Sequence, residues 1–261
     1  MKKWIQTGIA AVMLCTTAAC TTKTEDDHLA RIKAEGKIVV GLEGDWQPFS
    51  FHDQDDVLCG VDVEVAKGIA ERIGVEAEIV EGKWDGLLTG LSSGTYDIVV
   101  NGVDITDERK ETFDFSDPYI YDRTVLVIKE GTEGITSFDD LAGKTTANSI
   151  GSTYMEMGEA YGATVQGVDD LTKCMDLVKN GTVDATINAA TSINDYIKTT
   201  GETGFVIVDE SDTVPYAIPM KKGEDNDTLR EVINQALQDM REDGTLKAIS
   251  EKYFGSDLTQ E

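Results

Sequence analysis

The sequence predicts an α/β protein of two lobes. Strand and helix signals alternate from Lys37 onward, the alternation runs through two such series, and no Pro/Ser-rich linker separates them. Alternation of this kind builds helix-covered, largely parallel sheets. The chain has 261 residues, room for one large domain or two ordinary ones.

In the first series, Lys37 to Leu42 is a short β-branched strand that stops at a turn. Val61 to Ile73 places Val65, Ala66, Ile69, Ala70 and Ile73 on one helical face, with Gly74 suited to the C-cap. Val75 to Val80 returns as a strand, Trp84 to Leu91 is helical, Tyr96 to Val100 is a buried strand, and Arg123 to Ile128 is another. In the second series, Lys144 to Ala147 is a strand and Ser152 to Tyr161 a helix capped by Ser152 or Thr153. Asp169 to Lys179 is amphipathic through Leu171, Cys174, Met175 and Val178, and Gly181 ends it. Ala185 to Asn188 and Phe205 to Val208 are strands, and Asp227 to Met240 repeats apolar residues at helix spacing. Clefts between lobes are favoured ligand sites.

Composition removes several functions. Lys plus Arg is 23 against 49 Asp plus Glu, a formal charge of −26. Such a surface repels phosphate backbones and anionic headgroups, so nucleic-acid and peripheral-membrane roles are excluded. With 40% apolar residues and only four prolines, the chain can bury a core.

The N-terminus reads as an address. Met1-Lys2-Lys3 is a short positive head, Trp4 to Ala19 is mostly apolar, and Thr17-Ala18-Ala19 leads small residues into Cys20. Residues 1–19 are thus expected to be a signal peptide. The layout resembles a bacterial lipoprotein signal in which Cys20 becomes the lipidated first residue; an ordinary signal peptide cut nearby is the alternative. Residues 20–36 are then expected to be a tether. Cys59 and Cys174 make no disulfide framework and read as two unrelated small hydrophobes.

Catalytic signatures are sparse. His28 is expected in the tether and His52 in a polar loop before the acidic run Asp53 to Asp56, which lacks the spacing of a calcium loop and reads as a solvated turn. The sequence contains no phosphate-binding loop or H-E-x-x-H helix. No cofactor or metal is expected.

The densest constellation runs from Gly94 to Arg109. A strand ends near Asn101, turns at Gly102, and a helix starts with Thr106 as N-cap and Asp107 and Glu108 in its first turn. Arg109 then sits at the mouth of the strand, where open α/β sheets bind ligands and where a guanidinium can grip a carboxylate in two parallel bonds. A surface ion pair with Asp107 or Glu108 is the other local reading.

The segments Asp45-Trp46-Gln47-Pro48-Phe49, Gly60-Val61-Asp62-Val63-Glu64, Trp84-Asp85-Gly86-Leu87, Thr106-Asp107-Glu108-Arg109, Asp114-Phe115-Ser116-Asp117-Pro118-Tyr119, Leu141-Ala142-Gly143-Lys144 and Lys252-Tyr253-Phe254-Gly255 follow one another in order. In that order and spacing the chain resembles the solute-binding proteins of polar amino-acid ABC importers, bacterial extracellular family 3, over nearly its whole length after Arg31. The resemblance implies a two-lobed periplasmic-binding-protein-like (type II) fold with a hinge of two crossover strands. Residues 37–121 and 217–261 would form lobe 1, and 122–216 lobe 2 with the hinge strands. It implies a non-enzymatic monomer on the extracellular or periplasmic face of the cell membrane. That monomer would hold a free amino acid, cystine or a basic or amide amino acid among the options, and pass it to a permease and its ATPase.

By the same resemblance Arg109 would bind the α-carboxylate, helped by the turn Gly151-Ser152-Thr153 at a helix start, and Gly102 would offer its carbonyl to the α-ammonium. Trp46 and Trp84 would flank the side chain, Glu43 would meet a donor at its far end, and Asn188 would stand beside the ligand. One departure matters. The second-lobe position where the family carries an Asp for the ammonium is Ala189, whereas Asp104 stands where relatives carry Ser or Thr. Either the carboxylate has moved to the first lobe, or Asp104 faces solvent and the ligand lacks an α-amino group. A secreted dehydratase of cyclic phenylalanine precursors on the same fold is the rival reading.

Overall fold

The computed structural model describes residues 27–261. The predicted signal peptide, Cys20 and the first part of the tether lie outside the described residues.

In chain order the elements are α1 (His28–Glu35), β1 (Lys37–Leu42), β2 (Asp45–Trp46), β3 (Ser50–His52), β4 (Leu58–Cys59), α2 (Val61–Ile73), β5 (Glu76–Glu81), α3 (Trp84–Ser93), β6 (Ile98–Val99), β7 (Val103–Asp104), α4 (Asp107–Thr112), β8 (Phe113–Phe115) and β9 (Ile120–Lys129). There follow β10 (Thr145–Ser149), α5 (Thr153–Ala160), β11 (Thr164–Val168), α6 (Leu171–Lys179), β12 (Ala185–Ala189), α7 (Ala190–Thr200), β13 (Phe205–Ala217), β14 (Pro219–Lys221), α8 (Asp227–Glu242) and α9 (Thr245–Phe254).

Two sheets organise the molecule, in the orders β5-β1-β6-β14-β8 and β11-β10-β12-β9-β13-β7. In each, the first three strands are parallel, as the alternation predicts. The rest is antiparallel, which corrects the expectation of largely parallel sheets. The cause is β9 and β13, which run past each other in opposite directions between the two halves. Ile120 and Tyr216 lie in the core built from α2, α8 and β1, whereas Val125 to Ile128 pack into the second half. There, Val125 and Val127 serve one face of the sheet and Leu126 and Ile128 the other, by strand alternation.

Residues 28–36 correct the tether expectation. Asp27 caps α1 by accepting from Leu29 N, Gly36 closes it in the left-handed conformation (φ 72°), and Leu29 and Ile32 are buried. His28 is docked here, its Nε2 2.8 Å from Asp97 Oδ1. The Asp97 carboxylate holds the imidazole above its ordinary pKa.

Candidate functional site

A cleft opens between the two sheets at the carboxyl ends of β1, β6 and β10. From the first half it is lined by Glu43, Asp45, Trp46, Trp84, Asn101, Gly102 and Asp104. From the second it takes Ser149, Ser152, Thr153, Tyr154, Asp170, Leu171 and Asn188. The sequence-predicted residues therefore converge; Arg109 is not itself on the lining but bonds Asp104 and lies over Trp84, which are.

Glu43 follows β1 and is only 7% exposed. Its backbone N–H donates to Asn101 Oδ1 at 2.7 Å, and Asn101 Nδ2 donates back to Glu43 Oε2 at 2.9 Å. Burial pushes the Glu43 carboxyl up to about 7, against the Asn101 hydrogen bond that favours the charged form.

Gly102 makes the turn after β6 at φ 50°. Its N–H donates to Tyr119 Oη at 3.0 Å, and Tyr119 donates to Asp62 Oδ1 at 2.5 Å. Asp62 is fully buried, its Oδ2 has no partner among the described residues, and desolvation raises its carboxyl to about 7. The cleft turn is thus braced from behind by a buried relay. Trp46 stacks on Phe49 with centroids 4.2 Å apart and covers Gly102 so closely that a Cβ there would stand 2.7 Å from the indole. Gly102→Ala is expected to shift Trp46 and to cost about 1–2 kcal/mol of stability, since the left-handed conformation alone costs a Cβ-bearing residue about 1 kcal/mol. A denaturant melt checks this.

Thr106 caps α4 by accepting from Arg109 N at 3.1 Å, which fixes where the guanidinium emerges. Arg109 Nη1 donates to the Asp104 carbonyl at 3.1 Å and to Asp104 Oδ1, and the guanidinium lies 5.3 Å over the Trp84 ring. The ion pair with Asp107 or Glu108 is not formed; Asp104 is the partner. Asp104 does not face open solvent either, being only 18% exposed and part of the cleft wall. One edge of the guanidinium is therefore held, while Nε and Nη2 make no hydrogen bond among the described residues.

On the opposite wall, Ser152 caps α5, accepting from Met155 N at 3.1 Å and donating to the Ser149 carbonyl at 2.7 Å. Its hydroxyl is spent on capping, so what borders the cleft is the helix start with Thr153 at its first position. Asn188 turns its Oδ1 back onto Ala189 N at 2.9 Å, and Ala189 is fully buried in the apolar core. No carboxylate replaces it there. Tyr154 adds a hydroxyl contact to Tyr216 at 3.1 Å.

Asn101, Asp45, Ser149, Tyr154, Asp170 and Leu171 belong to the wall without having been singled out from sequence. Asn101 and Asp170 carried the available signals, one at a strand end and the other at a helix N-cap. His52 lies outside the cavity, 3.0 Å from Glu81. Asp53 to Asp56 form an exposed turn, and among the described residues no cluster suited to a metal occurs. Cys59 and Cys174 are free; burial pushes the Cys174 thiol up to about 12.

Comparison with known proteins converges on one family. Residues 38–256 match the profile of the Bacterial extracellular solute-binding proteins, family 3. The L-cystine-binding protein TcyA of Bacillus subtilis (strain 168) is 35% identical over 271 residues, covering 100% of both chains. An ancestral arginine-binding protein bound to arginine superposes with a TM-score of 0.78 at 37% identity, covering 84% of this chain and 99% of that one. The L-cystine solute receptor of Neisseria gonorrhoeae, in its unliganded open conformation, gives 0.59 at 36% identity, covering 90% and 100%.

Proposed function

The chain belongs to the bacterial extracellular solute-binding proteins of family 3, and we propose that the amino acid it captures for its ABC importer is L-cystine. The observation that carries amino-acid capture is the pairing of Arg109 with Asp104 at the cleft. The free Nε and Nη2 edge of Arg109 takes the α-carboxylate in two parallel bonds. Asp104 Oδ2, beside it, takes the α-ammonium together with the Gly102 carbonyl. Charge and countercharge stand in the order a zwitterion presents them, which supports the move of the carboxylate from position 189 to position 104. The start of α5 completes the carboxylate site from the other lobe. L-cystine is favoured among amino acids by the similarity to TcyA across the full length of both chains.

Closure follows from the same contacts. Groups from both lobes reach the ligand together only when the cleft is shut, so ligand selects the closed state. At nearly equal identity the chain overlaps the arginine-bound structure better than the open receptor, which fits a shut arrangement here. We place the lobe boundary in β9 and β13, with residues 37–121 and 217–261 on one side and 122–216 on the other. The protein acts as a monomer, tethered through lipidated Cys20, and binds without transforming its ligand; incubation with L-cystine and with cyclic phenylalanine precursors, both recovered unchanged by mass spectrometry, tests this last point against the dehydratase reading.

Asp104→Ser is the direct test of the relocated carboxylate. It is expected to weaken L-cystine binding roughly 30-fold in calorimetry, about 2 kcal/mol for a lost charge-assisted pair. Unchanged affinity would show that the ammonium is met elsewhere.

A further inference from the structure

One cation at the cleft has no task in holding a single amino-acid end. Lys83 stands at the N-cap position of α3, where its ammonium, a donor only, cannot cap the helix. It pairs with Asp45, which lines the cleft. The next residue, Trp84, lines both the main cavity and a second one beside it. That second cavity has Lys83 and Asp85 on one side and Ile150, Val168 and Asp169 of the opposite lobe on the other. Asp170, the N-cap of α6, completes the far wall of the main cavity. Trp84 thus has the Arg109 guanidinium over its ring and Lys83 next to it in the chain. Each cation has a cleft carboxylate bonded to it, Asp104 for Arg109 and Asp45 for Lys83.

We infer that the cleft holds a second zwitterion subsite, in which Lys83 takes the far carboxylate of an extended ligand while Asp45 and Asp170 take its far ammonium. This rests on the L-cystine reading, whose ligand carries an amino-acid group at each end. The subsite also selects against basic amino acids. Their far cation can meet Asp45 and Asp170 but brings no carboxylate for Lys83, which repels it, so they forgo the pair that L-cystine makes there. Opposite charges on the two lobes meet at this end as well: Asp45 first, and Asp170 from the other side, hold the Lys83 ammonium above its ordinary pKa. Contacts here therefore form with closure, as at the Arg109 end.

Calorimetry on the full mature chain tests this with L-cystine, S-methyl-L-cysteine and L-arginine. S-methyl-L-cysteine keeps one zwitterion and the sulfur but lacks the second end. Lys83→Met is expected to weaken L-cystine about 30-fold, leave S-methyl-L-cysteine within about twofold, and improve L-arginine. Asp45→Asn, which keeps Lys83, is expected to weaken L-cystine about tenfold by loss of the ammonium partner. Lys83 and Asp45 are 59% and 43% exposed, so both variants should fold, and circular dichroism checks this. If the unaltered protein binds L-cystine but both variants match it, or if L-cystine and S-methyl-L-cysteine weaken equally, the second subsite is overturned while the cystine reading stands. If the unaltered protein binds diaminopimelate, another double amino acid, in place of L-cystine and Lys83→Met loses it, the cystine reading fails and the subsite stands. Binding of neither double-ended ligand overturns both.

Discussion

Replacing Arg109 by Met is expected to weaken amino-acid binding by about three powers of ten, roughly 4 kcal/mol, because a bidentate charge-assisted pair is lost and the ligand carboxylate is left without a countercharge. Arg109→Lys is expected to fall between, since an ammonium keeps the charge but not the fork. The fold should survive both. Thr106 caps α4 through the backbone N–H of residue 109, which neither substitution removes. Met also keeps apolar contact with Trp84. Calorimetry and a melting curve separate the two effects: affinity falls sharply while stability changes little. A variant that binds as tightly as the unaltered protein would mean that the α-carboxylate is held by the α5 start alone.

The second large effect concerns stability. Asp62 is fully buried, and its carboxyl is pushed up from 3.8 to about 7. The native state therefore keeps a proton that the unfolded chain has already released. Between pH 4 and 7 the native state binds more protons, so the stability this group contributes is complete below about pH 4 and is lost as pH rises through 7, by up to about 4 kcal/mol. Glu43 acts in the same direction over a narrower range, from 4.5 to about 7. Asp97 and Glu64, whose carboxylates are held below their ordinary pKa, oppose the trend only toward acid. Asp62→Asn removes one titration while keeping an acceptor for the Tyr119 hydroxyl. Urea unfolding at pH 4.5 and pH 8 should show the variant losing about 3 kcal/mol less than the unaltered protein between the two. Parallel losses would mean that Asp62 is ionised throughout.

What the sequence disclosed follows from which forces act locally. Helix α2 spans the predicted residues and ends at the predicted glycine, because its apolar face and cap are both written in adjacent residues. The Thr106 cap and the strand-turn-helix course around Gly102 were legible for the same reason. Helix α1 was not: two buried residues in eight make no visible period, and its stability comes from docking His28 and Ile32 on distant partners. The sequence predicts a strand only over Phe205 to Val208, whereas β13 runs on to Ala217. Register shifts after Ile207 and Glu210 absorb the charged stretch and let the strand run to Ala217. At the cleft, the residues on short turns near Gly102 and Arg109 were named from sequence. Asp45, Asp170 and Tyr154 were not, because only the meeting of the two lobes puts them on one cavity.

The central claim is that the free edge of the Arg109 guanidinium takes a ligand carboxylate. Titration of the unaltered protein with L-cystine and with its dimethyl ester tests it most directly, because esterification removes both carboxylate charges and keeps both ammonium groups. The account predicts saturable binding of the acid and no measurable binding of the ester. Equal affinity for the two would contradict it.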